Sequence, residues 1–201
     1  MLDLIDEFIA IIPLTDEAKM LILRHLKERH FSKNHYLLEA GQVCRQLYFI
    51  KSGTVYGYFR YRGEPRSMRF SKEKDICFVP ESFLQQIPSK EALQALSETF
   101  VYSLSYDAIQ EISRTFPKMR DILQHYFLKD YAEANSCLYM FRSLDGRHRY
   151  KWMAEHDPTL VNTFPLSKTS SYIGLSPTSV GRFIRQETGR SVIQFKKQSK
   201  N

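Results

Sequence analysis

The chain has 201 residues, 43% hydrophobic and 25% charged, a soluble globular composition with enough length to bury a core. Its net charge of +7 comes from 29 Lys and Arg against 22 Asp and Glu. Eleven of the basic residues and four of the acidic ones lie after residue 141, so the last 60 residues carry the whole excess. No apolar run approaches the ~18 residues that span a bilayer, which excludes a membrane-embedded protein. The acidic start, Asp3 to Glu7, lacks the basic region of a secretory signal. Three scattered cysteines, Cys44, Cys77 and Cys137, suit buried thiols in a reducing cytoplasm better than a disulfide framework, and no Cys-x-x-Cys offers a metal site. A neutral body with a basic end predicts a surface for a polyanion.

In chain order, residues 2–12 and 15–29 read as two short helices split by Pro13, with Thr15 as N-cap and Asp16 and Glu17 in the first turn. From His35 to Ser105 the pattern changes to short aromatic and β-branched runs: Tyr36–Leu38, Leu47–Ile50, Thr54–Arg62, Ser67–Phe70, Ile76–Val79 and Thr99–Leu104. Gly41, Gly53 and Gly63 punctuate them, which predicts an antiparallel sandwich or barrel. Thr54 to Phe70 reads as a hairpin turning at Arg62–Pro65. After Tyr106 the helical period returns. A helix is expected from Pro117 to Leu144, about 28 residues and roughly 40 Å long. A small sandwich is too short to cover such a stripe, so Ile122, Leu123, Tyr126, Phe127, Tyr131, Ala134, Leu138 and Phe141 are expected to pair with a second copy. Arg147–His156 is a further helix stopped by Asp157–Pro158, and two more helical segments follow.

The stretch from Phe164 to Arg185 carries the most information. A short helix ends at Gly174, a residue that tolerates the left-handed C′ position. Ser176 then caps a second helix with Pro177 in its first turn. Val180, Phe183 and Ile184 recur at three- and four-residue steps and face inward, which leaves Thr178, Ser179, Arg182, Arg185 and Gln186 outside. That is a helix-turn-helix pattern with the second helix as reader. Helix N-terminus and hydroxyls suit phosphate, and Arg182 can take guanine O6 and N7 together. Ser176 and Lys168 are counted with these DNA-binding residues, and the tail lysines Lys196 and Lys197 are the expected phosphate contacts. An enzyme built on the barrel, such as a metal-dependent one, needs converging histidines, and none lies between residues 36 and 116; no catalytic activity is expected.

These motifs resemble the Crp/Fnr family of bacterial transcription regulators over nearly the whole chain. Gly41 with Leu47–Val55 is similar to the family's cyclic-nucleotide-binding-type β-roll, Pro117–Leu144 to its dimer helix, and Arg149–Tyr150, Pro158, Pro165 and Ser171–Pro177 to its DNA-binding domain. The resemblance implies an α+β chain with a double-stranded β-helix or jelly-roll sensor at 1–116, a dimerisation helix at 117–144, and a winged-helix-like domain with reduced or absent wing at 145–201. It implies a cytoplasmic homodimer on palindromic double-stranded DNA, with RNA polymerase as a further partner. The family's cyclic-AMP binders use a Gly-Glu segment and an Arg-Ser pair. The matching stretch here, Phe78 to Lys90, has neither, so a cyclic nucleotide is not expected. Three cysteines cannot supply the four thiolates of an iron–sulfur cluster. Haem would need an axial ligand from His30, His35 or His125. Phe70, Phe78, Phe83, Ser89 and Lys90 are the candidate effector-pocket residues, with no cofactor assigned. The reader helix also departs from the catabolite-activator pattern: Ser179–Arg182 follows it closely, while Pro177–Thr178 replaces an Arg-Glu pair. Gln186–Phe195 resembles the end of an AraC-type helix-turn-helix, so a single-motif AraC-like regulator is one alternative, and a ligand-binding adaptor that ignores DNA is another.

Overall fold

The element order follows from where the hydrophobic period switches between two and 3.6 residues. The computed structural model describes residues 2–189. They contain the helices α1 (Leu2–Ile11), α2 (Asp16–His25), α3 (Pro80–Gln85), α4 (Tyr106–Thr115), α5 (Met119–Ser143), α6 (Gly146–His156), α7 (Pro158–Thr163), α8 (Leu166–Tyr172) and α9 (Pro177–Thr188). The strands are β1 (Lys27–Phe31), β2 (Tyr36–Leu38), β3 (Gln46–Ser52), β4 (Val55–Tyr61), β5 (Glu64–Ser71), β6 (Ile76–Cys77), β7 (Ala92–Ala95) and β8 (Thr99–Ser105). Two compact units result, one formed by residues up to 59 together with 69–131, the other by 60–68 together with the residues from 132 onward.

The first unit is built on two four-stranded sheets, in the orders β1-β8-β3-β6 and β2-β7-β4-β5. Their apolar faces share one core: Leu47, Phe49, Ile50 and Val101 from the first sheet meet Leu37, Leu38, Val55 and Leu93 from the second. Leu47 to Ile50 are all buried along β3. Such a run reads as apolar throughout because its second face is covered as well. Phe8, Ile22, Ile109 and Ile112, from α1, α2 and α4, belong to the same core. A smaller cluster joins Tyr56, Tyr58 and Ala92 with Phe70 and Leu96 packed against it. The β4–β5 hairpin turns on Arg62 (φ 52°) and Gly63 (φ 83°), a pair of left-handed residues that gives the tight two-residue connection matching strand twist.

Several expectations need correction. The helix expected over 15–29 ends at His25, and Lys27–Phe31 leaves it to pair with β8 from Lys27↔Ser103 to Phe31↔Thr99. The segment is charged and almost wholly exposed, so it has no apolar face to keep it helical. Strand β7 and helix α3 are further elements between Val79 and Thr99. The long helix begins at Met119, because Pro117 and Lys118 form a turn in which the Met119 and Arg120 amides donate to the Phe116 and Pro117 carbonyls. Ile122, assigned above to a seam between copies, is 1% exposed inside the core of its own unit.

The second unit packs α6, α7, α8 and α9 around Tyr150, Met153, Val161, Phe164, Ile173, Val180 and Ile184. Three helical segments follow α6 rather than two. Asp157 separates the first pair: its amide closes α6 on the Met153 carbonyl, and its carboxylate accepts from the Thr159 amide to open α7. Residues 190–201 lie outside the described part, and with them Lys196, Lys197 and the expected wing or tail. No helix among the described residues is long and apolar enough to cross a membrane.

Candidate nucleic-acid interface

The turn between α8 and α9 is made by backbone hydrogen bonds that glycine permits. Gly174 sits at φ 66°. Its amide donates to the Ser171 carbonyl, and the Leu175 amide donates to Ser170. This crossed pair is the Schellman arrangement, which satisfies the last carbonyls of α8. A Cβ on Gly174 would lie 2.9 Å from Cε1 of Phe141 and 3.2 Å from Nη1 of Arg149. Gly174→Ala is therefore expected to lower the stability of the second unit by about 1–2 kcal/mol through its left-handed backbone, with further loss from the contact; urea melts followed in that unit measure it. Ser176 then opens α9, its hydroxyl accepting from the Ser179 amide at 3.1 Å, with Pro177 in the first turn. The other end closes at Gly189 (φ 67°), whose amide donates to Arg185.

This geometry sorts the side chains of α9. Val180 and Ile184 are fully buried, and Phe183 is half-buried with its ring 6.3 Å from Tyr150. Thr178, Arg182, Arg185 and Gln186 are exposed. Ser179 is half-buried, its hydroxyl 2.9 Å from that of Ser176, so it serves the cap. The Arg182 guanidinium lies 5.6 Å from the centroid of the Phe183 ring, and the residue is exposed. Lys168 is half-buried on α8. The charge count alone hid one thing: Glu187 takes ion pairs from Arg147 at 3.7 Å and Lys151 at 3.5 Å, and Arg149 lies over the Phe141 ring. Three basic residues of α6 therefore have partners inside the unit. At its start, Asp145 accepts from the His148 amide, and that bond holds its carboxyl below the ordinary carboxylate range.

Of the expected seam, Leu123, Tyr126 and Phe127 are half-buried against the first unit's core. Tyr131, Ala134, Leu138 and Phe141 are exposed, Tyr131 to 65%, Leu138 to 44% and Phe141 to 45%. Phe127, Tyr131, Ala134, Leu138 and Phe141 alternate steps of four and three, the spacing of a coiled-coil seam. A groove of about 430 Å³, lined by Leu123, Phe127, Leu128 and Tyr131 among others, opens at the first two of these positions.

The five effector-pocket candidates fall in different surroundings. Phe78 and Phe83 are core residues packed edge-on at 5.5 Å. Phe70 belongs to the smaller aromatic cluster, Ser89 is buried, and Lys90 is exposed. The three histidines weighed as haem ligands are all exposed; His30 stacks on Phe100 and meets the Glu98 carboxylate at 2.6 Å. Cys44 and Cys77 are buried and free, and burial pushes the Cys77 thiol up to about 12. No group of three or more His, Cys, Asp or Glu among the described residues could hold a metal ion.

Two side-chain networks were not foreseen. In the second unit, the Tyr172 hydroxyl lies 2.9 Å from the Cys137 thiol and donates to Glu133 at 2.5 Å, while His156 meets the other Glu133 oxygen at 2.9 Å. Burial pushes the Tyr172 hydroxyl well up. This chain ties the last residue of α8 to α5 and α6. In the first unit, Arg69 binds both Glu91 and Asp130. Neither is visible as a motif, since the partners lie tens of residues apart; the one local signal is Gly57, a glycine in the middle of a strand pattern.

Residues 28–116 match the family model described as "Cyclic nucleotide-binding domain". The chain is 23% identical over 124 residues to the anaerobic regulatory protein of Pasteurella multocida, covering 61% of this chain and 45% of that one. It is 28% identical over 95 residues to the fumarate and nitrate reduction regulatory protein of Vibrio cholerae, covering 47% and 37%. The chain thus spans less than half the length of either relative. Its fold matches FixK2 from Bradyrhizobium japonicum at a TM-score of 0.70, with 15% identity and 80% and 83% of the two chains covered. It also matches the catabolite activator protein of Thermus thermophilus at 0.56, with 18% identity and 89% and 87% covered. With a β-roll, a long helix and a helix-turn-helix in that order, the chain shares the fold of FixK2 and the catabolite activator protein, and its roll is similar to the cyclic nucleotide-binding domain.

Proposed function

We propose that the chain is a homodimeric regulator of transcription that reads DNA through α9. One observation carries this reading: α9 buries Val180 and Ile184 and leaves Thr178, Arg182, Arg185 and Gln186 on a single solvent face of a helix capped at both ends. A side chain on that face can enter a major groove while the buried one fixes its angle. The matched relatives are regulatory proteins by name, and the basic excess after residue 141 supplies attraction to phosphate. The exposed seam of α5 and the groove beside it would receive the same helix of a second copy. Two α9 helices would then face successive major grooves, about 34 Å apart. The protein would act in the cytoplasm, with RNA polymerase as its further partner.

The test is duplex binding against salt concentration. On a log–log plot the affinity of a DNA reader falls with a slope of about −0.9 for each phosphate neutralised. An adaptor gives no duplex complex at any salt, and that result would refute the proposal.

A further inference from the structure

Gly57 lies inside β4, where a glycine weakens a strand and marks a close approach. A Cβ there would come within 2.4 Å of Cγ of Arg69 and 3.2 Å of Cδ2 of Leu93. The glycine leaves room for an arginine stem from the neighbouring strand β5. The head of that arginine is mostly buried, its side chain 20% exposed. Nε and Nη2 donate to the two oxygens of Glu91 at 2.9 and 3.1 Å, and Nη1 donates to Asp130 on α5. Burial works against the guanidinium charge, and the two carboxylates more than restore it. Glu91 is itself fixed: the Ser89 hydroxyl donates to its carbonyl and accepts from its amide. The sequence that suggested an effector pocket, ending at Ser89 and Lys90, thus runs directly into an ion triad. All three members belong to the first unit.

We propose that Arg69, Glu91 and Asp130 form a built-in clasp that holds the first half of α5 to the roll without an added ligand. A bidentate pair fixes the arginine on the sheet, and its third donor reaches the helix. The triad carries two negative charges against one positive. An anionic ligand entering here must displace a carboxylate from the guanidinium and face the other, so the site turns away cyclic nucleotides. The clasp depends on the protein alone and stands whether or not α9 reads DNA.

Hydrogen exchange on the full chain tests it. Asp130 is 37% exposed and outside the apolar core, so Asp130→Asn keeps the fold and strips the link to α5 of its charge. The expected result is amide exchange at least about tenfold faster across residues 119–131, with β3 and β8 unchanged, since only a local opening is eased. Arg69→Gln is expected to speed the same amides, and the double variant to go no further than the faster single one. Equal exchange in Asp130→Asn and the natural chain overturns the clasp, as does full additivity of the two substitutions. Cyclic AMP at about 1 mM, well above a working affinity, is expected to leave the melting temperature unchanged; a rise of several degrees overturns the exclusion of anions.

Discussion

Leu138→Asp is expected to turn the proposed dimer into a monomer while leaving each chain folded. Leu138 is 44% exposed in the single chain, so its own core loses little. In the proposed seam it lies between Ala134 and Phe141 and meets the same stretch of a second copy. One substitution therefore places two carboxylates in a desolvated contact. Loss of a central apolar anchor costs about 2 kcal/mol per copy, and the pair about 4 kcal/mol, near a thousandfold in the dissociation constant. Sedimentation should show a monomer, and affinity for a two-half-site duplex should fall with it, because each half-site is then held by one weak reader. A dimer that survives Leu138→Asp would place the interface elsewhere.

Arg182→Ala is expected to erase discrimination at one base pair in each half-site. Its guanidinium stands on the exposed side of α9, one turn in from the capped N-terminus. There it can span both acceptors of a guanine edge, a contact worth about 1–3 kcal/mol against the wrong base. Binding to the preferred duplex should fall by that amount per half-site, while binding to random duplex changes little. Lys197→Ala, in the tail beyond the described residues, is expected to weaken all duplexes alike. Competition titrations with single-base variants separate the two. Equal losses on specific and random DNA in both variants would mean that Arg182 meets phosphate.

What could be read in the sequence was whatever chemistry is local. The Schellman glycine at 174, the serine cap at 176 and the apolar triplet of α9 are set by neighbours within a turn, and the structure shows each of them. The apolar runs of β3 and β8 were legible for the same reason. Strand β1 was not, since Lys27–Phe31 has no alternation to announce it and becomes a strand through pairing with residues 68 to 76 positions away. Ile122 was misplaced because helical period says which side of a helix is apolar and not what covers it. The ion triad was invisible because Arg69, Glu91 and Asp130 meet through tertiary packing. Gly57 alone hinted at it, and only as an oddity.

Strand β1 carries a consequence of its own. It lies at the rim of its sheet, paired with β8 on one side and open on the other. An open rim invites another chain to add a strand and start an aggregate. Here the rim is Lys27, Glu28, Arg29 and His30, with Glu28 drawn to Lys51 at 2.9 Å and His30 to Glu98. A newcomer would have to strip water from that row of ions, so the charged residues that made this segment unreadable as a strand also protect the protein from self-templated fibres.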